Sequence, residues 1–351
     1  MLLAWDTFQA VHSVAVLTAC VAWVLAFVLV LLLALWIDAR WGEPRAAWHP
    51  VVAMGHYLEV CGRVVSSLPP APALVSGTLA WWLGVGVVGA LAWVLQALAF
   101  AQVARLVAAP GLQTALVALL ALLLMGWLLK CMLSWRMLHH EVGAVEAALQ
   151  QSLAAGRERL SWLVSRDTAL LSDSEVRESA IESLAENLND SVVAPVFWFV
   201  LLGLPGAAIY RFANTADAMW GYRGMHRGRH WEWAGKWAAR ADDVLSWLPA
   251  RLTAWLLARV ARGLPRGALR REAARTPSPN SGWPMAAMAL ALGVSLRKPG
   301  IYTLNAAGRP PRPADTALAQ RYASKTVFAL VLSAEAAIVL IAIGTAWTLA
   351  P

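Results

Sequence analysis

The stretch 165–190, SRDTALLSDSEVRESAIESLAENLND, holds the densest set of side chains that could do chemistry. Ser172 and Glu175 have the spacing of a capping box, which predicts a helix from about Asp173. At 100° per residue, Val176, Ala180, Leu184 and Leu188 fall on one stripe, and Glu178, Glu182 and Glu186 fall nearly opposite. Such an acidic stripe is ordinarily a solvated face. Here Asn187 and Asp190 follow at once, and then an apolar run containing Pro195. Acids at the end of a helix oppose its dipole, because a C-terminus prefers cations. A bound metal or a cationic partner would offset that cost, and hard oxygen ligands suit Mg²⁺ with phosphate.

A second block, 214–251, mixes both signs beside many tryptophans. Asp217, Asp242 and Asp243 lie among Arg223, Arg229, Lys236, Arg240 and Arg251. It reads either as a salt-bridged interfacial surface or as a site where carboxylates hold Mg²⁺ and guanidiniums hold phosphate. A third segment, WGEPRAAWHP at 41–50, is an extended, turn-rich loop because two prolines fix it. Its Arg45 and His49 face either a site or water, with Trp41 and Trp48 as headgroup-level anchors. Other patterns carry less. Gly84, Gly86 and Gly89 match GxGxxG but sit inside an apolar run with no acid nearby, so they read as helix packing. Neither GxxxxGK[ST] nor HExxH occurs, which excludes a P-loop NTPase. His226 and His230 are four apart, but Gly228 between them weakens a helical metal pair. Cys20, Cys61 and Cys131 imply neither a disulfide framework nor a zinc site.

These blocks must be positioned by membrane helices. The chain has 351 residues, 59% hydrophobic and 14% charged, against about 25% charged in a soluble domain. Disordered, coiled-coil and ordinary soluble-enzyme classes are therefore excluded. Uncut apolar runs predict spans at 14–37, 73–104, 112–129 and 326–350, the last with one acid, Glu335, a functional or buried intramembrane group. Two weaker segments, 192–210 and 244–260, contain prolines and read as re-entrant, interfacial or bundle-buried helices. The fold class is all-α: one polytopic membrane domain over 1–351, with site-bearing segments 38–72 and 130–325. The stretch Arg262–Pro284 reads as a loop, and no strand alternation is evident. The net charge is +8, from 29 Lys+Arg against 21 Asp+Glu, and most of it lies in 130–325. By the Lys/Arg asymmetry this segment and 38–72 face the cytoplasm, with the N-terminal tail and the Pro110 turn outside. The scattered cations argue for anionic small-molecule partners and against nucleic acid.

At these blocks the sequence resembles the adenosylcobinamide-phosphate synthase family of cobalamin biosynthesis, integral membrane proteins of bacteria and archaea. The matching runs are GEPRAAWHP (42–50), RDT (166–168), ESLAENLNDSVVAPVFW (182–198), GLPGAAIYR (203–211) and NTADAMWGYR (214–223). They continue with GKWAARADDVLSWLPARLTA (235–254) and NSGWPMAAMALALGVSLRKPG (280–300). The resemblance covers most of the chain, in order. It implies a ligase that joins aminopropanol phosphate or ethanolamine phosphate to a carboxylate of adenosylcobyric acid, driven by ATP and Mg²⁺, in the bacterial inner membrane.

Carried over by position, the resemblance makes Glu182, Glu186, Asn187, Asp190 and Asp217 the expected catalytic polar groups, with His49 and Asp167 behind them. Arg166, Arg223, Arg240 and Arg251 are expected to hold phosphates. Glu186, Asp190, Asp242 and Asp243 are expected to hold the metal. The sequence departs from the family pattern at Ser191, Ala218 and Ser246, where Gly, Ser and Asn are usual. This bears on the choice of amine more than on the reaction. A homo-oligomer, or contact with other corrinoid-pathway enzymes, is a further expectation. The alternatives are a non-catalytic accessory or signalling homologue and a small-solute transporter.

Overall fold

A computed structural model describes the backbone of residues 2–349, with the side chains of residue 18 and of residues 21–344 apart from Arg266. In chain order the helices are α1 (Leu2–Trp41), α2 (Pro50–Val65), α3 (Pro70–Ala108), α4 (Leu112–Cys131), α5 (Trp135–Gln151), α6 (Leu153–Leu160) and α7 (Asp173–Leu188). A π-helical turn, Asn189–Val193, joins α7 to α8 (Ala194–Trp220). Then come α9 (Lys236–Leu245), α10 (Trp247–Val260), α11 (Arg266–Ala273), α12 (Gly282–Leu292) and α13 (Pro313–Leu349). Two antiparallel hairpins interrupt the helices: β1 (Met225–His226) with β2 (Arg229–His230), and β3 (Leu296–Lys298) with β4 (Tyr302–Leu304). These strands are too short for an alternation to be read from sequence.

Five stretches are long and apolar enough to cross a membrane: Val21–Trp41, Pro70–Ala108, Leu112–Gln151, Asp173–Trp220 and Pro313–Gly344. Large apolar side chains point outward from four of them, for example Leu29, Leu91, Leu120 and Leu340. A helix apolar all round, with no protein against much of it, is a lipid-facing helix. The four spans read from sequence lie within α1, α3, α4 and α13, except that residue 350 falls outside the described residues. The helix α13 starts earlier than the apolar run because its first turns are polar: Arg309 pairs with Asp315, and Thr316 donates to Glu146.

The fifth stretch behaves differently, because α8 folds back on itself. Gly203 has φ 70° and ψ −157°, a conformation that essentially only glycine adopts. In a straight helix residues 191 and 211 would lie about 30 Å apart, yet the Arg211 guanidinium lies 3.3 Å from Ser191 Oγ. A Cβ placed on Gly206 would run into the Trp198 carbonyl, which also requires a reversal. Gln96 of α3 seals the turn by accepting from the Leu204 amide at 2.7 Å. Phe199 packs on Phe27, which in turn packs on Phe100. The segment 192–210 is thus a helical hairpin packed into the bundle, with Leu201 and Leu202 exposed near its tip, starting and ending at the same end. The segment 244–260 is also no simple span. Its main helix, α10, has 14 residues, fewer than the ~20 that a crossing needs.

The remaining helices form a polar cap at that end. Arg262–Pro284 is not simply a loop, since it contains α11, which turns Leu269 and Ala273 inward. The buried apolar side chains form one contiguous core from Ala26 to Ile338. The GxGxxG run lies within α3 as a packing surface. A Cβ on Gly84 would collide with the Phe212 ring, while one on Gly86 would meet nothing. Gly84→Val should therefore lower the thermal midpoint in detergent by the equivalent of about 1–3 kcal/mol, with Gly86→Val near neutral. Equal effects would contradict the packing role.

Candidate functional site

The acidic helix α7 is capped as expected. Ser172 Oγ accepts from the Glu175 amide and Glu175 accepts from the Ser172 amide. Its acidic stripe is not solvated, because other segments cover α7 on every side. Glu178 is fully buried and takes hydrogen bonds from the backbone and the guanidinium of Arg297 at 2.9 Å. Glu182 is 4% exposed and pairs with Arg166 at 2.8 Å. On the adjoining face Arg177 is clamped between Glu146 and Asp173. Glu186, next along the stripe, is half-buried and makes no ion pair among the described residues.

Beyond Glu186 the π turn re-aims the chain, a distortion often found at functional sites. Asn189 turns inward, donating to Asp190 at 2.8 Å and accepting from Thr253 at 3.0 Å. Because α8 folds back, Asp190 returns to the level of Asn214 and Asp217, and α9 brings Asp242 and Asp243 to the same place. The charges of Asp190, Asp217, Asp242 and Asp243 act on one another, and that of Asp190 acts on Glu186. Burial, reinforced by Asp190 and Asp217, pushes the Asp242 carboxyl well above its ordinary range. Burial also raises Asp243, with Arg223 acting against it. The Asn214 amide reaches Asp242 at 3.4 Å, and Arg211 lies close to both Asp190 and Glu43. The Nε of Arg211 is buried without a hydrogen-bond partner.

On the other side of Arg211 is a clasp built from the 41–50 loop. Lys130, at the end of α4, is fully buried and reaches Glu43 at 2.8 Å and Asp38 at 3.3 Å. His49 Nδ1 accepts from the Val51 amide and so caps α2. That leaves Nε2–H to donate to Glu43 at 3.0 Å. Burial pushes the Glu43 carboxyl up, but the hydrogen bonds from His49 and Lys130 outweigh it and hold it below the usual range. Asp38 also accepts from the Arg136 amide, fixing the start of α5. Arg45, Trp41 and Trp48 are exposed.

A separate polar cavity of about 150 Å³ opens beside α7, lined by Arg166, Glu182, Glu186, Asn187, Lys298 and Tyr302 among others. The structure therefore brings together most of the carboxylates that the sequence singles out. It adds Lys130, Asp38, Glu43, Arg211, Asn214, Lys298 and Tyr302, none of which sequence reasoning assigned a role. Glu43, Arg211, Asn214 and Lys298 lie within the family-like runs, which was the one available signal.

Other expected residues stand apart. Asp167 is exposed and accepts from the Ala169 amide in a local turn. Arg240 is exposed on α9. Arg251 bonds Asn280, whose amide donates to the Asp243 carbonyl, and stacks on Trp247 and Trp283. Arg251 therefore braces the site rather than standing open to it. Asn187, by contrast, lines the cavity beside α7 and donates to the Ser183 carbonyl. His226 stacks on Tyr222 in the β1–β2 hairpin, away from any helical pairing with His230. Glu335 is far along α13, with one carboxylate oxygen shielded and unpartnered. Cys61 and Cys131 are unpaired, and the Cys20 side chain lies outside the described residues. Of the departures from the family pattern, Ser191 bonds Arg211 and Ser246 bonds Tyr210, while Ala218 is exposed.

Among the described residues, no three His, Cys, Asp or Glu side chains converge as a closed metal cage. Mg²⁺ seldom uses one, since it takes one or two carboxylates together with substrate phosphates and water. Oxygen-only donors with Arg211 and Arg223 beside them fit such an ion bound together with phosphate.

The family model described as CobD/Cbib protein matches residues 31–330. A probable cobalamin biosynthesis protein CobD of Methanothermobacter thermautotrophicus is 40% identical over 281 residues, covering 78% of this chain and 86% of its own. The cobalamin biosynthesis protein CobD of Chromobacterium violaceum is 39% identical, with 80% and 84% covered, and that of Stutzerimonas stutzeri is 37% identical, with 79% and 84% covered. No solved structure matches.

The clasp makes its own prediction. Lys130→Met strands the buried Asp38 and leaves the partly buried Glu43 with His49 alone, and should cost about 3–5 kcal/mol. Adding Asp38→Asn and Glu43→Gln should recover part of that loss in detergent unfolding. A triple variant no more stable than the single one would contradict the pairing.

Proposed function

The chain belongs to the CobD/Cbib protein family of cobalamin biosynthesis, and on that premise we propose that it is an ATP-dependent amide ligase. It joins aminopropanol phosphate, or ethanolamine phosphate, to a carboxylate of adenosylcobyric acid and yields adenosylcobinamide phosphate. One observation carries the reading: Asp190, Asp217, Asp242 and Asp243 lie near enough for their charges to act on one another, with Arg211 acting on Asp190 and Arg223 on Asp243. Carboxylates held at that cost need a cationic ligand to be worth burying.

Amide formation from a carboxylate needs activation. The corrinoid carboxylate attacks the terminal phosphorus of ATP, forming an acyl phosphate and releasing ADP. The amine then attacks the acyl carbon, phosphate leaves, and the ammonium proton passes to a base. One or two carboxylates of the set Asp190, Asp217, Asp242 and Asp243 would hold Mg²⁺ together with the substrate phosphates, and the ion would supply charge neutralisation for them. Arg211 and Arg223, at the margins of the cluster, are positioned to take phosphate oxygens. Glu186 is half-buried, free of an ion pair and next to Asp190, which suits it to accept the amine proton. The Lys130–Glu43–His49 clasp positions Arg211 and the entrance to α2 and takes no proton itself.

The polar cap faces the cytoplasm in this reading, with α1, α3, α4 and α13 crossing the inner membrane and the α8 hairpin entering and leaving from the cytoplasmic side. The Lys/Arg distribution supports it. A single cysteine at Gly111 should then react with an impermeant maleimide from outside intact cells, and one at Ser278 only after lysis.

The chemistry is tested with purified protein in detergent, given adenosylcobyric acid, aminopropanol phosphate, ATP and Mg²⁺. Wild type should form the amide. Asp242→Asn should lower the rate ~100-fold or more while keeping the fold. No product from folded wild type would favour the accessory or signalling homologue.

A further inference from the structure

The β3–β4 hairpin was assigned no task by the sequence, yet it closes the one mixed-charge cavity beside α7. Its turn is tight: Ile301 N–H donates to the Lys298 carbonyl at 2.9 Å, with Gly300 at φ 73°. Lys298 and Tyr302 are cross-strand partners, so their side chains emerge on the same face. Both line the 150 Å³ cavity with Arg166, Glu182 and Glu186. Arg297, the neighbour of Lys298, points the other way and locks the hairpin to α7 through Glu178. The hairpin is therefore anchored on one face and presents a cation and a phenol to the cavity on the other, the phenol hydroxyl lying near Glu182 and donating to Met285 Sδ at 3.7 Å.

The cavity has unmet demands of both signs. Lys298 makes no ion pair within the described residues, although its charge acts on Glu182 and Glu186. Arg166 uses Nη2 for Ser179 and Glu182, while its Nη1 is buried without a partner. Glu182, 4% exposed, takes Arg166 on Oε2, while its buried Oε1 makes no hydrogen bond within the described residues and has the Tyr302 hydroxyl as its near neighbour. Glu186 has no cation of its own. A simple anion would satisfy Lys298 and Arg166 but be repelled by both glutamates. A simple amine would meet the reverse. Only a small ligand with an anionic and a cationic end satisfies both, and the volume is far below the ~300–1,000 Å³ of larger ligand sites.

We infer that this cavity is the seat of a small amine phosphate, with Lys298, Arg166 and the Tyr302 hydroxyl on the phosphate and Glu182 and Glu186 on the ammonium. This rests on the ligase reading above and assigns its amine substrate a place apart from the Asp190–Asp217–Asp242–Asp243 cluster. Glu186 is the shared wall, so the amine end would lie against the residue suited to take its proton. The neighbouring acid cluster is left for the nucleotide and its cation.

The test is calorimetric titration of the full-length protein in detergent with ethanolamine phosphate, repeated with Mg²⁺ and a non-hydrolysable ATP analogue present. Ethanolamine alone and methyl phosphate alone are the half-ligand probes. Wild type should bind ethanolamine phosphate at least ~10-fold tighter than either half. Lys298→Met should weaken it ~10-fold or more, and Lys298→Arg should recover most of the loss. Tyr302→Phe, a smaller change that keeps the packing, should weaken it several-fold. Methyl phosphate bound as tightly as ethanolamine phosphate, no binding by wild type in either condition, or Lys298→Met binding like wild type would overturn the assignment. The two readings fail separately. Amide synthesis with an unchanged KM for the amine in Lys298→Met sinks the cavity and spares the ligase. Lys298-dependent binding without any amide product does the opposite.

Discussion

One backbone reversal organises this protein. At Gly203 the chain turns back within the bundle, in a conformation closed to other residues, and is held there by Gln96 of a neighbouring helix. Without the reversal, Asp190 and Asp217 would stand about 40 Å apart on one long helix. With it, they lie close enough for their charges to interact, and α9 adds Asp242 and Asp243 beside them. The π turn at Asn189–Val193 does the complementary work at the near end of the hairpin by setting the direction in which Asp190 and Ser191 leave α7.

Around this reversal the fold separates charges that are neutralised from charges that are not. Glu178, Glu146 and Asp38 are buried with Arg297, Arg177 and Lys130. Such pairs add little net stability, but breaking one is costly, so they fix geometry more than they deepen the fold. They hold α7, α5, α4 and the β3–β4 hairpin in register. The groups left without full partners lie together along Glu182, Glu186 and the four aspartates. That division is what a ligand site needs: rigid supports whose valences are filled, and a working face whose valences are open.

Much of this was legible in the sequence, and the limits are physical. The capping box, the helix of α7 and the acidic stripe follow from local spacing, which sequence carries directly. So do four membrane helices and the proline-broken character of 192–210. Whether the stripe is solvated depends on Arg297, 119 residues away, and on Arg166. No local pattern reports such pairings. Nothing local marks Lys130 as a structural cation, because its partners Asp38 and Glu43 belong to another helix and its loop. The stacking of Arg251 on Trp247 and Trp283 is likewise a contact with rings on two helices that no local pattern reports. The β3–β4 hairpin was invisible because three residues per strand give no alternation to recognise. The polar first turns of α13 hid the start of that helix for a similar reason: their burial is supplied by α5 and by Arg309.

The central claim is that the folded-back α8 and α9 together make one cation site from carboxylates distant in sequence. Mn²⁺ binding, followed by electron paramagnetic resonance in the presence of ATP and displaced with Mg²⁺, tests it most directly. The account predicts one Mn²⁺ per chain, displaced by Mg²⁺ and weakened ~10-fold or more by either Asp190→Asn or Asp217→Asn, residues on opposite arms of the hairpin. Binding untouched by both substitutions, or no Mn²⁺ bound beyond that held by free ATP, would contradict it.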